Sequence, residues 1–170
     1  GMLQARKTVH KVSKDDVFTL EDSQLQGFLT ALHNGKKVSI KQGLDVTANQ
    51  DEATDTEIFQ VELDKKAQAH CRIRTCQNTL WVLDAASSGI QTGSATRSAD
   101  ALFRIEWLDD GAMAMKASND RYVTSRPNGS LYAVSTEIST KEKFYFSVVN
   151  RPLLMLRCEH GFVGTKKGAD

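Results

Sequence analysis

The sequence predicts an all-β domain built from three copies of a unit of about 40 residues. Short segments such as IFQVEL (58–63) and ALFRIEW (101–107) alternate apolar and polar residues. That alternation is the period of a strand with one buried face and one solvent-facing side. Four segments of this design carry a phenylalanine, at successive steps of 41, 44 and 41 residues: Phe18, Phe59, Phe103 and Phe144. A strand design that returns at a near-constant step indicates an internal repeat.

Each unit is predicted to contain four short strands. The opening strands are FLTAL (28–32), CRIRT (71–75) and MAMKA (113–117). Each is followed by residues that tolerate the positive φ of a hairpin turn: Asn34-Gly35, Gln77-Asn78 and Asn119-Asp120. The second strands carry Val38, Trp81 and Val123, and a second turn is predicted at Gly43, Gly89 and Gly129. The phenylalanine strand then closes each unit.

Three such units are expected to associate around an axis, because each unit alone leaves its apolar face exposed. Closing the sheet also removes exposed strand edges. The sequence therefore predicts a β-trefoil with pseudo-threefold symmetry, whose units cover about residues 27–66, 67–110 and 111–150. Three blades of a propeller are the alternative, which is less favoured because three blades do not complete a ring.

The repeat continues beyond both ends of the predicted trefoil. Phe18 lies in a closing strand that has no opening strand before it, and residues 153–165 have the pattern of an opening hairpin without a closing strand. We therefore expect three parts. Residues 1–26 are the closing strand and linker of a preceding trefoil, 27–150 form the complete trefoil, and 151–170 open a following trefoil.

Composition indicates a soluble globular chain, with 40% hydrophobic and 25% charged residues. No apolar run approaches the roughly 20 residues that span a bilayer, so no membrane insertion is expected. Three cysteines without metal-ligand spacing favour a reducing compartment and argue against a metal site. No phosphate loop, nucleophile motif or zinc signature is present, and the acidic run 51–57 lacks the calcium-loop pattern. We expect no enzyme activity, no cofactor and no nucleic-acid partner.

Charge is unevenly distributed, although the formal net charge is only +1. Residues 1–50 carry a net +2, residues 51–110 a net −5, and residues 111–170 a net +4. The first and last strands of a trefoil pair with each other, so the two basic ends are expected to meet in space.

Four segments closely resemble fascin, the actin-bundling protein built from four tandem β-trefoils. They are KDDVFTLEDS (14–23), GLDVTANQDEATDTEIFQVELD (43–64), KASNDRYVTS (116–125) and VVNRPLLMLRCEHGFVGTKK (148–167). The resemblance runs from about residue 5 to the C-terminus and includes residues outside the core, such as 48–52. It implies a third trefoil flanked by strands of its neighbours, from a diverged paralogue of the testis type. It also implies a noncatalytic, cytoplasmic module of the actin cytoskeleton, with filamentous actin and the neighbouring trefoils as partners.

The resemblance assigns candidate actin-binding residues, all of them basic because filaments are acidic. Basic fascin positions are matched by Lys14, Lys41, Arg121, Arg151, Arg157, Lys166 and Lys167. Hairpin turns beside them hold Lys36, Lys37 and Arg126. Solvated side chains on exposed turns are the alternative interpretation for each of them. Arg157 also aligns with an inward position of its strand, which fits a structural role between domains equally well.

Two further positions bear on binding. Ser39 matches a fascin serine whose phosphorylation is thought to weaken actin binding; a plain outward strand serine is the alternative. A phosphate there would add negative charge among lysines. Asp109 and Asp110 stand where typical fascins place arginines, so binding through that loop is expected to be weaker.

Two other functions remain open at this point. A lectin-type trefoil would bind carbohydrate and usually repeats Gln-x-Trp near the end of each unit. Here only Trp107 falls at that position, and the other units have Leu63 or Val148. The third possibility is a spacer, a trefoil that separates its neighbours and contacts nothing itself.

Overall fold

The structure is a computed structural model that describes residues 19–22, 25–64, 67, 69–94, 96–150, 154–158 and 161–162. All regular structure in these residues is strand, apart from short 3₁₀ helices at Ala99–Ala101 and Thr140–Glu142. The chain divides into two compact units, one spanning Gln24–Arg151 and one that holds the strands at the two ends of the chain. The all-β prediction is confirmed.

The larger unit contains three successive sets of four strands. The first set is β2 (Leu25–Ala31), β3 (Lys37–Ser39), β4 (Thr47–Gln50) and β5 (Phe59–Leu63). The second is β6 (His70–Arg74), β7 (Leu80–Leu83), β8 (Ile90–Gly93) and β9 (Phe103–Trp107). The third is β10 (Met113–Lys116), β11 (Tyr122–Ser125), β12 (Leu131–Ser135) and β13 (Phe144–Asn150). These sets correspond to the three predicted units.

The opening and closing strands of the three sets form a closed six-stranded barrel. Antiparallel pairs follow the order β2, β5, β6, β9, β10 and β13, and β13 returns to pair with β2. The closing pair is the longest, with a register from Phe144 opposite Ala31 to Asn150 opposite Gln26. A closed sheet has no free edge. The pseudo-threefold β-trefoil is therefore confirmed, and the propeller is excluded.

The middle strands of each set form hairpins that cap one end of the barrel. These hairpins are β3–β4, β7–β8 and β11–β12. Each contacts the other two through single bridges, Asp45 with Gln91, Thr47 with Ser130 and Gly89 with Tyr132. The cap thus repeats the threefold pattern of the barrel.

The core uses the residues on which the repeat was recognised. Phe59, Phe103 and Phe144 are at most 1% exposed. The second strands contribute Val38, Trp81 and Val123, which are fully buried. The Trp81 ring packs edge-on against Phe59 and Phe103, with ring centroids 4.9 and 6.4 Å apart. The second set therefore has a large ring at the position where the other two sets have a valine, so the core departs from exact threefold symmetry.

The first hairpin turns form as predicted. Gly35, Asn78 and Asp120 occupy equivalent positions and have φ values of 69°, 62° and 60°. The second turns differ between the sets. In the first and third sets, Gly43 and Gly129 have left-handed φ values of 79° and 87°. In the second set the left-handed residue is Ser88, with a φ of 60°, and not Gly89. The prediction of the turn glycine at Gly89 is wrong by one residue.

The smaller unit contains a three-stranded antiparallel sheet. β1 (Thr19–Asp22) pairs with β14 (Leu154–Cys158), which forms a hairpin with β15 (Gly161–Phe162). The predicted hairpin after residue 153 is therefore present. The assignment of these strands to neighbouring trefoils stays a prediction.

Candidate functional site

The structure describes the side chains of six of the residues that the sequence singled out: Lys36, Lys37, Ser39, Lys41, Arg121 and Arg126. Arg157 lies in β14, opposite Thr19, and only its backbone is described. Lys14, Arg151, Lys166 and Lys167 lie outside the described residues.

The candidate cations occupy symmetry-related positions rather than one patch. Lys36 and Arg121 each follow the first hairpin turn of their unit, in the first and third units. The backbone N–H of each donates to the Oδ1 of the asparagine two residues earlier, at 3.0 and 3.1 Å. Lys41 and Arg126 are related in the same way, because each begins the loop between the two cap strands. The threefold axis therefore separates the members of each pair.

The two lysines at the turn of the first unit, Lys36 and Lys37, both contact one acidic residue, Asp51. Lys36 Nζ lies 2.5 Å from Asp51 Oδ1. Lys37 Nζ donates to the Asp51 backbone carbonyl and lies 5.7 Å from the centre of the Phe28 ring. The hydrogen bond from Lys36, together with its charge, holds the pKa of Asp51 below its ordinary value. The sequence placed lysines here correctly but missed Asp51 as their partner.

Three candidate cations have no acidic partner in the part of the chain that the structure describes. Lys41 and Arg121 are exposed, and no side-chain partner is found for either among the described residues. The guanidinium carbon of Arg126 lies 3.8 Å from the centre of the Tyr132 ring, a cation–π contact that leaves its charge available. Among the candidate cations that the structure describes, these three are therefore the best placed to meet an acidic partner.

Ser39 is fully buried, so its interpretation as an outward strand serine is wrong. Its Oγ donates to Glu57 Oε1 at 2.6 Å and accepts from the Lys41 backbone N–H at 3.0 Å. The loop before β5 covers it: the Ile40 backbone N–H donates to the Thr56 carbonyl at 3.2 Å, and Glu57 of the same loop lies against Ser39. Ser39 is therefore buried under this loop, although it directly follows the core residue Val38.

Glu57, which the sequence analysis did not single out, accepts most of the hydrogen bonds at this site. The side chain is 1% exposed. Besides Ser39, it accepts from the Thr54 N–H at 2.7 Å, Thr54 Oγ1 at 2.6 Å and Thr56 Oγ1 at 2.7 Å. Burial alone would raise the pKa of Glu57, but these hydrogen bonds together outweigh it and the pKa is lowered.

The third unit repeats this arrangement at Glu142. Glu142 Oε2 accepts from the Ser139 N–H at 2.9 Å and from Ser139 Oγ at 2.6 Å, which is a capping box. Both carboxylates lie two residues before the buried phenylalanine of a closing strand, and Ala101 takes that place in the second unit. The sequence pattern Thr/Ser-x-x-Glu-x-Phe occurs at 54–59 and again at 139–144, and this repetition could have indicated both carboxylates.

One of the two aspartates in the loop between β9 and β10 forms an ion pair with a lysine that lies directly before β13. Lys143 Nζ lies 2.5 Å from Asp110 Oδ2, and Asp110 Oδ1 accepts from the Ala112 N–H at 3.1 Å. The hydrogen bond from Lys143 is the main reason that the pKa of Asp110 is lowered. Asp109 is exposed and has no partner among the described residues.

The other reactive side chains form no recognisable site. Within the described ranges, no three His, Cys, Asp or Glu side chains are placed to hold a metal ion. Burial raises the pKa of the Cys71 thiol to about 12, whereas Cys76 is exposed in a turn. No helix in the described part of the chain is both long and apolar enough to cross a membrane.

A comparison with protein families matches residues 33–146 to the fascin domain. The chain belongs to the fascin family. Over all 170 residues it is 36% identical to Fascin-2 of Bos taurus and covers 34% of that protein. Fascin of Strongylocentrotus purpuratus is 36% identical over 92% of the chain, which covers 32% of that relative. Fascin-3 of Mus musculus is 25% identical over 78% of the chain, which covers 26% of it. The fascin chain described here thus spans about a third of the length of its relatives.

Solved structures agree with the fold of this fascin-family chain. The designed threefold symmetric protein ThreeFoil superposes with a TM-score of 0.63 at 14% identity, over 71% of this chain and 96% of that one. A mosquitocidal holotoxin superposes with a TM-score of 0.66 at 12% identity, over 75% of this chain and 17% of that one. At these identities the likeness concerns the fold alone.

Two grooves beside the barrel occupy symmetry-related positions. One, of about 460 Å³, lies where β5 starts and includes Asp55 and Arg74; the other, of about 270 Å³, lies where β9 starts and includes Arg104 and Asp120. Trp107, the residue that raised the lectin alternative, lines neither of them. The aromatic residue of the first groove, Phe59, is only 1% exposed, and no aromatic residue is found among the described residues that line the second. Neither groove therefore offers an exposed aromatic ring beside its acid, as a lectin-type pocket would.

Proposed function

We propose that the chain is a noncatalytic actin-filament-binding module of a fascin-type crosslinker in the cytoplasmic actin cytoskeleton. The fascin family is a family of actin-bundling proteins. The observation that carries the proposal is the fascin-domain match over residues 33–146, which includes the whole cap and four of the six barrel strands, β5, β6, β9 and β10. This chain spans about a third of the length of its fascin relatives, so the proposal assigns crosslinking to a longer protein and filament binding to this part.

The proposed contact surface consists of the candidate cations that have no acidic partner among the described residues. Lys41, Arg121 and Arg126 project from the cap hairpins and their turns, and an acidic filament would attract them. We include Lys14, Arg151, Arg157, Lys166 and Lys167 on the resemblance alone. Lys36 and Lys37 are expected to contribute less, because Asp51 already occupies both ammonium groups.

Cosedimentation with actin filaments at about 50 mM and about 200 mM salt tests this proposal, since contacts between charges weaken as salt screens them. We expect binding at low salt that falls at high salt. The double variant Lys41→Glu, Arg121→Glu should lose most of the low-salt binding. The matched control is Arg97→Glu, Lys141→Glu, which changes the net charge equally at exposed positions that are not among the proposed contact residues. Equal losses in the two variants would show nonspecific attraction, and no binding by the parent would refute the proposal.

We further propose that phosphorylation of Ser39 would act by disrupting the fold around Glu57. The hydroxyl is buried and donates to a carboxylate, so a kinase needs this region to open first. A phosphate there would face Glu57 and repel it. Ser39→Asp should therefore lower the melting temperature more than Ser39→Ala. If Ser39→Asp weakens filament binding at unchanged stability, the effect is one of surface charge instead.

The strands at the two ends are proposed to belong to neighbouring trefoils of the same protein. The closing-type strand β1 pairs with the opening-type strand β14, as β13 pairs with β2 inside the complete trefoil. The assignment of the two strands to different neighbours therefore rests on the sequence resemblance alone. A trefoil that merely spaces these neighbours is the competing function. That spacer would show no salt-dependent filament binding in the experiment above.

A further inference from the structure

The end of the barrel where β5 and β9 finish contains a cavity of about 180 Å³. All six barrel strands or the turns next to them contribute to its wall. The deeper wall includes Leu29, Ile73 and Met113, and the rim includes Leu63 and Trp107, each 65% exposed. This cavity lies away from the hairpin cap and the proposed filament-binding cations.

The cavity exists because the three units fill this end of the barrel with side chains of different size. Gly27, Cys71 and Met113 hold equivalent positions in the three opening strands and together form one layer of the barrel interior. A Cβ on Gly27 would come within 2.6 Å of Phe146 Cζ, so the Phe146 ring already fills the space in the first unit. Met113 reaches into the layer in the third unit. Cys71, together with Ala69, is short and leaves space in the second unit, whereas protein interiors are normally filled.

The lining of the cavity is apolar. Its residues are leucine, valine, isoleucine, alanine, methionine, phenylalanine, cysteine and tryptophan. The thiol of Cys71 is neutral, because burial raises its pKa to about 12. A charged or strongly polar molecule would lose its hydration here without gaining partners. A neutral hydrocarbon would replace the missing packing contacts at no such cost.

We propose that this cavity is a binding site for one small neutral apolar molecule, with the size of a single aromatic ring or an alkyl chain of equal volume. An apolar cavity of about 150 Å³ engineered into another protein stays dry and binds benzene. The cavity here is of similar size and lining. Its rim residues, Leu63 and Trp107, would cover the outer part of the ligand.

Benzene is the probe, titrated into the full 170-residue chain and followed by methyl NMR. We expect saturable shifts confined to cavity methyls such as those of Leu29, Val61 and Ile105. Benzoate, which adds a carboxylate to the same ring, should give no saturable shift. The proposal is overturned if benzene gives none up to its solubility, or if benzoate shifts the same methyls equally.

A pair of cysteine variants separates this cavity from surface binding. Cys71→Leu places extra carbons in the cavity and should weaken benzene binding about tenfold or more. Cys76→Leu makes the same change on an exposed turn and should leave binding unchanged. Val61→Phe is the second cavity-filling variant, in case Cys71→Leu does not fold. Unchanged binding in a folded cavity-filling variant would place the benzene elsewhere and refute the site.

Discussion

At the scale of single residues, the carboxylate of Glu57 connects two segments of the domain. It accepts hydrogen bonds from Thr54, Thr56 and Ser39, and thereby joins the loop before β5 to the edge of the cap hairpin. A buried charge is tolerated only when its hydrogen-bonding capacity is satisfied. Four hydrogen-bond donors satisfy it here, and the lowered pKa of Glu57 is the consequence.

Glu57→Gln should reduce the free energy of unfolding by about 2 kcal/mol at pH 7, because hydrogen bonds to a charged group are lost or weakened. The folded-state pKa lies below the ordinary 4.5, so the stabilisation is present above about pH 4.5 and is lost as the pH falls through the folded pKa. The difference between the parent and the variant should therefore shrink in acid. Urea unfolding at pH 7, 5 and 3 measures it. Glu52→Gln, an exposed change of the same charge, should show no such difference, and a gap that widens in acid would contradict this account.

Residue-level prediction from the sequence succeeded where burial follows the strand period and failed where segments distant in the chain come into contact. The buried phenylalanines and Cys71 follow from alternation alone. Ser39 does not, because it is buried against Glu57, 18 residues further along the chain, a contact that the strand pattern does not encode. The partners of the candidate lysines were missed for the same reason: Asp51 is 15 residues from Lys36 in the chain.

At the scale of elements, the pairing of β13 with β2 closes the barrel and depends on Gly27. A Cβ at this position would meet the Ser147 carbonyl oxygen as well as the Phe146 ring. A backbone oxygen cannot move aside as a flexible side chain can. The strand pair therefore requires glycine for space, although its φ is ordinary.

Gly27→Ala should lower the free energy of unfolding by about 2 to 3 kcal/mol, the range of overpacked core substitutions. Gly43→Ala is the control, because a Cβ there meets nothing within 4 Å and only the left-handed φ of 79° opposes it. That control should lose about 1 kcal/mol. Chemical denaturation of the two variants compares them, and an equal or smaller loss in Gly27→Ala would show that β13 shifts to make room.

The loop between β9 and β10 gives a second prediction at this scale. Asp109→Arg should strengthen filament binding at low salt about threefold if the loop faces actin, because it replaces an exposed acid by a base near an acidic partner. Stability should hardly change, since Asp109 has no partner in the described part of the chain. Asp110→Arg should instead lower the melting temperature, because it removes the partner of Lys143 and the acceptor for Ala112. If Asp109→Arg binds no better than the parent, this loop lies outside the contact.

At the scale of the whole molecule, the architecture could be predicted from the repeat alone, because three similar units are sufficient to close a threefold barrel. Three equal units with one apolar face each have few ways to bury it, and steps of about 42 residues recur in turns, strands and core. The candidate surface is less predictable. The threefold symmetry separates Lys36 from Arg121 and Lys41 from Arg126. The sequence pattern alone does not show which of these separated positions contacts a filament.

Bundling requires two filament sites on one molecule, and this chain spans about a third of its relatives. We therefore expect the chain alone to sediment with filaments at high speed without bringing crosslinked bundles down at low speed. Two copies joined by a Gly/Ser linker of about 30 residues, with a root-mean-square span of roughly 30 Å, should form bundles, because the second binding event becomes intramolecular. Low-speed pelleting of actin and electron microscopy of the filaments measure both. A tandem in which one copy carries Lys41→Glu and Arg121→Glu is the control and should fail to bundle. If the single chain bundles at the same concentration, it carries two sites itself, and the separation of Lys41 and Arg126 around the axis becomes the first place to look for them.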